Sequence, residues 1–312
     1  YRDLVGPLVD WLDRIVDYVL GPMRSVPRDP LALARFALAG TPSVRRATRG
    51  FTADAARALL AGAAAHSMQE LTAPLTSAFG LLLTALGHGV GWPVVEGGSA
   101  AITSGLASEL RRLGGVIRTG SWVTSLADLP PSRAVLLDTS PRQFVALAGA
   151  RLSERTSRPW RRFRPGPGAC KVDWALDGPV PWSAEACRRT VTVHVGGSFD
   201  EVARAEAEVH RGRHPAQPFV LVAQPGVVDP TRAPAGKHTL WAYCHVPNGS
   251  SIDMSERMEA QIERFAPGFR DRVLARAVRT KSEAESYNPN LLGGDVNGGA
   301  ATLRQTVFRP VP

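Results

Sequence analysis

The sequence predicts an α+β fold with a helix–strand unit of α/β character set into it. Three observations carry that reading. Residues 1–90 are rich in Ala and Leu and repeat at helical spacing. Residues 91–126 run as a Gly-Gly turn, an amphipathic helix, a second Gly-Gly turn and a strand. Within residues 151–280, three segments alternate apolar and polar residues with a period of two. The expected organisation is a helical part over 1–90, an inner segment over 91–150, a sheet-and-helix part over 151–280 and a return segment over 281–312.

In the helical part, Leu4, Leu8, Trp11, Leu12, Ile15 and Leu20 mark one helix, stopped near Gly21-Pro22. Pro27, Pro30 and Pro42 punctuate the next stretch of chain. Thr52 is placed to cap a helix over 53–65, and 73–87 is another helical stretch. His66, at the end of its helix, reads as a capping or packed residue.

The inner segment carries the clearest local pattern. Ser99 is a candidate N-cap, and Ile102, Leu106, Leu110 and Leu113 form one apolar stripe. Arg111 and Arg112 suit the C-terminal end of the macrodipole, and Gly114 and Gly115 supply a left-handed stop. Val116, Ile117, Val123 and Leu126 come next as strand. Residues 134–138 read as a buried strand, after which Ser140 and Pro141 take the N-cap and N1 positions of a helix. Such a turn holds a ligand phosphate or carbonyl, or simply connects a βα unit.

Cys170, Val172, Trp174 and Leu176 alternate with Lys171, Asp173 and Asp177. Val191, Val193 and Val195 alternate with Thr192 and His194. Leu240, Ala242, Cys244 and Val246 alternate with Thr239, Trp241, Tyr243 and His245. With the run 219–223, these read as a mixed sheet with one face on a core and the other lined by Lys171, His194, Trp241 and Tyr243, a candidate substrate-lining set. Cys244 and His245 point to opposite faces and do not converge on a metal; they read as a core Cys and a rim His. Residues 200–210 cross between strands as a helix. Asp253 and Glu256 resemble a capping box ahead of Met258, Ile262 and Phe265, Pro267-Gly268 breaks that helix, and 269–278 is expected to form another. The stretch 287–299, dense in Gly and Asn, lets backbone approach something closely.

Composition narrows the function. Hydrophobic residues make up 44% and charged residues 21% of the 312, as in a globular protein that closes a core. The longest apolar run, 78–86, is far short of the ~18 residues a membrane span needs. No signal peptide is visible; the widely spaced cysteines fit a reducing cytoplasm, the expected location, with peripheral membrane contact left open. The net charge of +9 invites a nucleic-acid reading. Against it, Lys171, Lys237 and Lys281 are the only lysines among 37 basic residues, and the arginines are scattered without aromatic interleaving. No nucleic-acid partner is expected. Cys170, Cys187 and Cys244 give neither a C-x-x-C nor an even disulfide framework, and no metal site is expected.

Taken in order, GWPVVEGGS at 91–99, GGVIRTGSWVTSL at 114–126, LLDTSP at 136–141, CKVDWALDGPVPW at 170–182, WAYCHVPNGS at 241–250, YNPNLLGGDVNGG at 287–299 and RQTVFRP at 304–310 resemble the phytoene desaturase-like branch of the flavin amine oxidase superfamily. The resemblance covers about 50–312. It implies a substrate domain, mixed sheet plus helices, joined to the remnant of an FAD/NAD(P)-binding-type domain. The chain then resembles the middle of an FAD-dependent oxidoreductase, because the strand–GxGxxG–helix opening of such domains is absent. Of the family's cofactor contacts, the resemblance leaves Val123 to offer its backbone to the adenine. It sets Asp138, Thr139 and Ser140 beside the cofactor domain core and brings Gly293, Gly294 and Asp295 toward the flavin. It further implies that Lys171 aims through a water at flavin N5; as a residue type alone, Lys171 is equally a solvated strand-face lysine.

The expected function is hydride removal from a small apolar or amphipathic substrate onto FAD, with the 312 residues by themselves unable to hold the cofactor. Two alternatives stand beside it. One is a non-catalytic relative that acts in binding or assembly; the other is a basic nucleic-acid binder.

Overall fold

In the computed structural model, which describes residues 1–21 and 26–308, fourteen helices and five strands are arranged in chain order. The Pro22 half of the expected Gly21-Pro22 stop, and residues 309–310 of the last motif, lie outside the described residues. The helices of the first part are α1 (Arg2–Asp10), α2 (Leu12–Val19), α3 (Pro30–Gly40), α4 (Val44–Ala47), α5 (Asp54–Ala65) and α6 (Thr76–Gly89). Then come α7 (Ala100–Arg112), α8 (Pro141–Ala148), α9 (Glu154–Arg161), β1 (Gly168–Leu176), α10 (Glu185–Arg188), β2 (Thr192–Val195) and α11 (Phe199–His210). β3 (Val220–Ala223), β4 (His238–Val246), α12 (Ser255–Glu263), β5 (Val273–Arg279), α13 (Lys281–Tyr287) and α14 (Leu303–Phe308) complete it.

The first six helices close one apolar core around Val5, Leu8, Leu12, Ile15, Phe36, Leu60, Leu71 and Leu81. The single first helix expected from periodicity is two helices, broken at Trp11 (φ −111°, ψ 15°), whose ring Arg35 covers at 4.5 Å. Asp29 caps α3 by accepting from the N–H groups of Leu31 and Ala32, with Pro30 at N1. α5 begins without a side-chain cap, so Thr52 does not serve as one. Residues 60–65 of α5 are buried all round, because the helix packs against both α6 and α11.

The sheet runs β2-β3-β4-β1-β5 and is antiparallel at each pairing. Its second core joins Cys170, Val172, Trp174, Leu176, Val220, Val222, Leu240, Ala242 and Cys244 to Met254, Met258, Ile262 and Phe269. β5 corrects the helix expected over 269–278. After a 3-10 turn at Arg270–Arg272 the chain pairs with β1, and the alternation of Val273, Ala275 and Ala277 with Leu274 and Arg276 suits an edge strand. The expected capping box before α12 is absent. Asp253 accepts from the N–H of Ser255, while Glu256 is drawn off to Arg276, which also pairs with Glu259 at 2.8 Å. His245 is not a rim residue: it is 2% exposed, on the face opposite Cys244.

The inner segment departs most from expectation. Residues 116–126 and 134–138 form no strand, and Leu136 is 95% exposed. Strand backbone needs a neighbour for its N–H and C=O groups, and the described residues place none beside these stretches. α7 forms as expected but buries none of its residues, and Ser99 makes no side-chain cap. Its end is a Schellman motif: the Gly115 N–H bonds the Leu110 carbonyl, that of Gly114 bonds Arg111, and Gly114 supplies the left-handed φ of 84°. None of the described helices is long and apolar enough to cross a membrane.

Candidate functional site

The polar face of the sheet is set by register. His194 lies opposite Leu221, Leu221 opposite Tyr243, Tyr243 opposite Lys171 and Lys171 opposite Arg279, a row across all five strands. The next row puts Ala223, Trp241 and Asp173 side by side. Lys171, His194, Trp241 and Tyr243 thus share one face, as the alternation implies. Lys171 is paired with the carboxylate of Asp173, and its Nζ stands 5.5 Å from the centroid of the Trp241 ring. A cation so held is positioned rather than freely solvated.

At the β2 end of this row the helical part closes over the sheet. His66, which ends α5, meets His194 through their Nε2 atoms at 3.0 Å. His194 lies in a recess. It is open to solvent, yet Phe219 (5.4 Å between ring centroids), the His66 ring (4.9 Å) and the backbone of Gly62 wall it in. Burial, and then the neighbouring histidines, lower His66 to about 3 and His194 to about 4, so both rings are neutral at pH 7. Burial, with the Glu206 carboxyl nearby, raises the Tyr243 phenol to about 12.

Beneath them lies a pair that the sequence reading missed. The Nδ1 of His245 meets both carboxylate oxygens of Glu206 at 2.9 Å, and Glu206 is 1% exposed. His245 Nε2 is buried without a partner. A signal was present: Glu206 falls at helical spacing between Val202 and Val209 on the apolar stripe of α11, where a carboxylate needs a partner.

A separate cleft of about 810 Å³ opens where α8, the loop before β1, the loop after β4 and the 287–299 segment meet. Ser140, Gly293 and Asp295 line it, together with Arg142, Arg161, Lys281 and Asn248. Ser140 caps α8 by accepting from the Gln143 N–H at 3.4 Å, Pro141 sits at N1, and the Ser140 N–H donates to Asn290. The Thr139 hydroxyl beside it is buried and unpartnered. The Asp295 carboxylate accepts from the backbone N–H groups of Gly166, Asn297 and Gly299 at 2.7–2.8 Å. That carboxylate clamps the glycine-rich segment, and its acceptor capacity is taken up by backbone. Gly294 neighbours the cleft in the chain without lining it, and so does Asp138, which is exposed. Val123 lies outside both features, in a stretch without strand structure.

The cleft residues fit part of a nucleotide cofactor. The N-terminus of α8, the guanidinium groups of Arg142 and Arg161 and glycine backbone are groups a phosphate-bearing ligand uses, while Lys281 is paired with Glu285, which also lines the cleft. The segment that the resemblance assigns to the adenine is not gathered there.

No family model matches the chain. Pyridine nucleotide-disulfide oxidoreductase domain-containing protein 2 of Mus musculus is 26% identical over 297 residues, 78% of this chain and 49% of that protein. 4,4'-Diapolycopen-4-al dehydrogenase of Metabacillus indicus is 35% identical over 104 residues, 31% of this chain and 21% of that protein. All-trans-zeta-carotene desaturase of Myxococcus xanthus is 28% identical over 187 residues, 60% of this chain and 32% of that protein. The chain spans about half the length of the first of these relatives and less of the others. Among solved structures, a redesigned putrescine oxidase double mutant matches with a TM-score of 0.51 at 14% identity, over 91% of this chain and 63% of that one, a likeness of fold. The sequence likenesses are thus to carotenoid desaturases and dehydrogenases and to a pyridine nucleotide-disulfide oxidoreductase domain protein, and the structural likeness is to an α+β fold of FAD-binding type. The cofactor class they suggest is a flavin or another nucleotide.

Proposed function

We propose that the protein is an FAD-dependent oxidoreductase of the phytoene desaturase type, acting on a small apolar or amphipathic substrate and on no nucleic acid. The observation that carries this reading is the cleft that gathers Ser140, Gly293 and the cations Arg142, Arg161 and Lys281 next to the sheet that bears Lys171, Tyr243 and Trp241. FAD, when bound, supplies the hydride acceptor. The protein's part is to hold and orient. Arg142, Arg161 and the N-terminus of α8 would take the phosphates, and Trp241 and Tyr243 would shape an apolar wall that excludes water.

The experiment compares this chain with the complete gene product. Each is mixed with excess FAD and desalted, and its visible spectrum is recorded. We expect the complete product to keep stoichiometric flavin and to bleach anaerobically with an apolar polyene. The 312 residues alone should lose it, because 116–126 is not held in a sheet. A complete product without flavin removes the oxidoreductase reading in favour of a binding or assembly role.

A further inference from the structure

A second cleft, of about 520 Å³, lies at the other end of the sheet and has no part in the proposed chemistry. It opens where β1 ends, where β4 begins and where the 3-10 turn Pro225–Val227 follows β3. β1 sets Gly168 against Gly293 of the first cleft and Leu176 in the wall of this one. The two ends of the strand stand roughly 25 Å apart.

The wall of this cleft divides by chemistry. Leu176, Val180 and Val227 form an apolar side. Arg188 and Arg272 bring two positive charges, and His238 adds a ring without a hydrogen-bond partner among the described residues. No carboxylate lines the cleft among the described residues. Neither arginine is matched by a charge of its own. Lys237 takes the Asp177 carboxylate; Arg272 acts on that carboxylate through space, and its guanidinium reaches only the Asp177 carbonyl, at 3.5 Å. Glu185 is shared by Arg188 at 3.7 Å and Arg189 at 4.0 Å, in contacts open to solvent, and pairs of that kind contribute little.

The cationic side is also held in place. Arg188 Nε donates to the Trp182 carbonyl at 2.8 Å, which anchors the guanidinium and leaves its terminal N–H groups for other acceptors. The loop that carries Arg188 is fixed by Gln224, which is 6% exposed. Gln224 accepts from the Trp182 indole at 3.0 Å and donates to the carbonyls of Cys187 and Thr190 at 2.6 Å. Across the cleft, Gly178 (φ 111°) has no side chain where the Arg272 guanidinium sits. Donors fixed in advance lose little freedom when a ligand arrives.

We infer that this cleft is a second ligand site, and that its ligand is an amphipathic anion: a carboxylate or phosphate head on Arg188 and Arg272, with a short apolar body along Leu176, Val180 and Val227. Guanidinium groups suit both kinds of head, and the volume falls within the range of small-molecule sites, about 300–1,000 Å³. The separation from the first cleft makes the occupant an effector and not the molecule oxidised. The inference stands independently of the flavin reading.

The test titrates this chain by isothermal calorimetry with octanoate, octyl phosphate, 1-octanol, octylammonium and acetate. We expect at least one of the two octyl anions to bind about tenfold more tightly than 1-octanol or acetate, and octylammonium not to bind. Arg272→Gln should weaken that anion about tenfold, as loss of one charge-assisted contact predicts, and leave 1-octanol within twofold. Val227→Asp, at a position 38% exposed, puts a carboxylate in the wall and should abolish anion binding. Circular dichroism and melting establish that each variant is folded. Equal affinity for the octyl anions and 1-octanol would remove the anion from the assignment, and acetate binding as tightly as octanoate would remove the apolar body. Either result overturns the inference, and so does failure of both octyl anions to bind. Anion binding that survives unchanged in both folded variants lies elsewhere on the chain and also overturns it.

Discussion

Lys171 and His194 occupy the same row of the sheet in opposite electrostatic settings. Lys171 is held by Asp173 and faces Trp241, with its side chain 31% exposed and that of Asp173 46% exposed. Half-exposed pairs of this kind contribute about 0–1 kcal/mol. Lys171→Met, which keeps the apolar stem, should therefore leave the melting temperature of this chain within about 3 °C. In the complete gene product it should slow one flavin half-reaction in stopped flow; unchanged half-reactions would return Lys171 to the solvated-lysine reading. His66 and His194 behave otherwise. Their folded-state values, about 3 and about 4, lie below the ordinary histidine value of 6.5. The unfolded chain therefore binds more protons below that value, and stability falls with pH. Their contribution is complete above about pH 6.5 and is lost as pH falls through about 4. Urea midpoints measured across that window should drop, and His194→Phe should flatten the drop. Alternation puts the two residues on one face and sets Asp173 two residues from Lys171 on the same strand; the Trp241 ring against Lys171 and the His66 ring against His194 come from other parts of the chain and were not readable beforehand.

At the scale of elements, the structure keeps those whose pattern closes on a partner. β1 and β4 formed as their alternation implies, because each finds a neighbour on both sides. β5 replaced an expected helix, since pairing with β1 satisfies backbone that two turns of isolated helix leave open. The glycine-rich segment after α13 is ordered by one side chain. Asp295, 3% exposed, collects three backbone N–H groups from the loops on either side. Asp295→Ala should cost about 2–4 kcal/mol, as buried donors lose a charged acceptor, and should collapse the cleft. Thermal unfolding measures the first; the second is read as faster amide exchange at Gly166 and Gly299. A loss under about 1 kcal/mol would contradict the clamp. A spacing of Asp within a Gly-Asn run marks a turn in the sequence, but not which loop it ties down.

At the scale of the whole molecule, two cores meet where α5 and α11 lie on the β2–β4 end of the sheet, and the inner segment stands outside both. α7 exposes Leu106 at 68%, its C-cap Leu113 is 69% exposed, and the chain around it is tied to the rest chiefly through Gly97, which bonds Asp229 and Arg232. Regions with few buried apolar contacts open first. Amides of 99–138 should therefore exchange well before those of β1, β4 and α5 in a hydrogen-exchange time course. Equal protection across all of them would show that this segment belongs to a core.

The linear pattern was enough to specify α5 and α6 in outline, the core-facing residues of β1 and β4, the stop of α7 at Gly114, and a family resemblance carried by motifs in order. These are local properties, set by periodicity, capping and glycine conformation within a few residues. Folding in three dimensions added the rest: the seating of His194 against Gly62, the buried Glu206–His245 pair, the three-way clamp of Asp295, and the failure of 116–126 and 134–138 to become strands. Each of these depends on a partner about 40 to 130 residues away, or on the absence of one beside it. Sheet hydrogen bonds and buried charges are settled by the groups opposite them, and a linear pattern does not contain that.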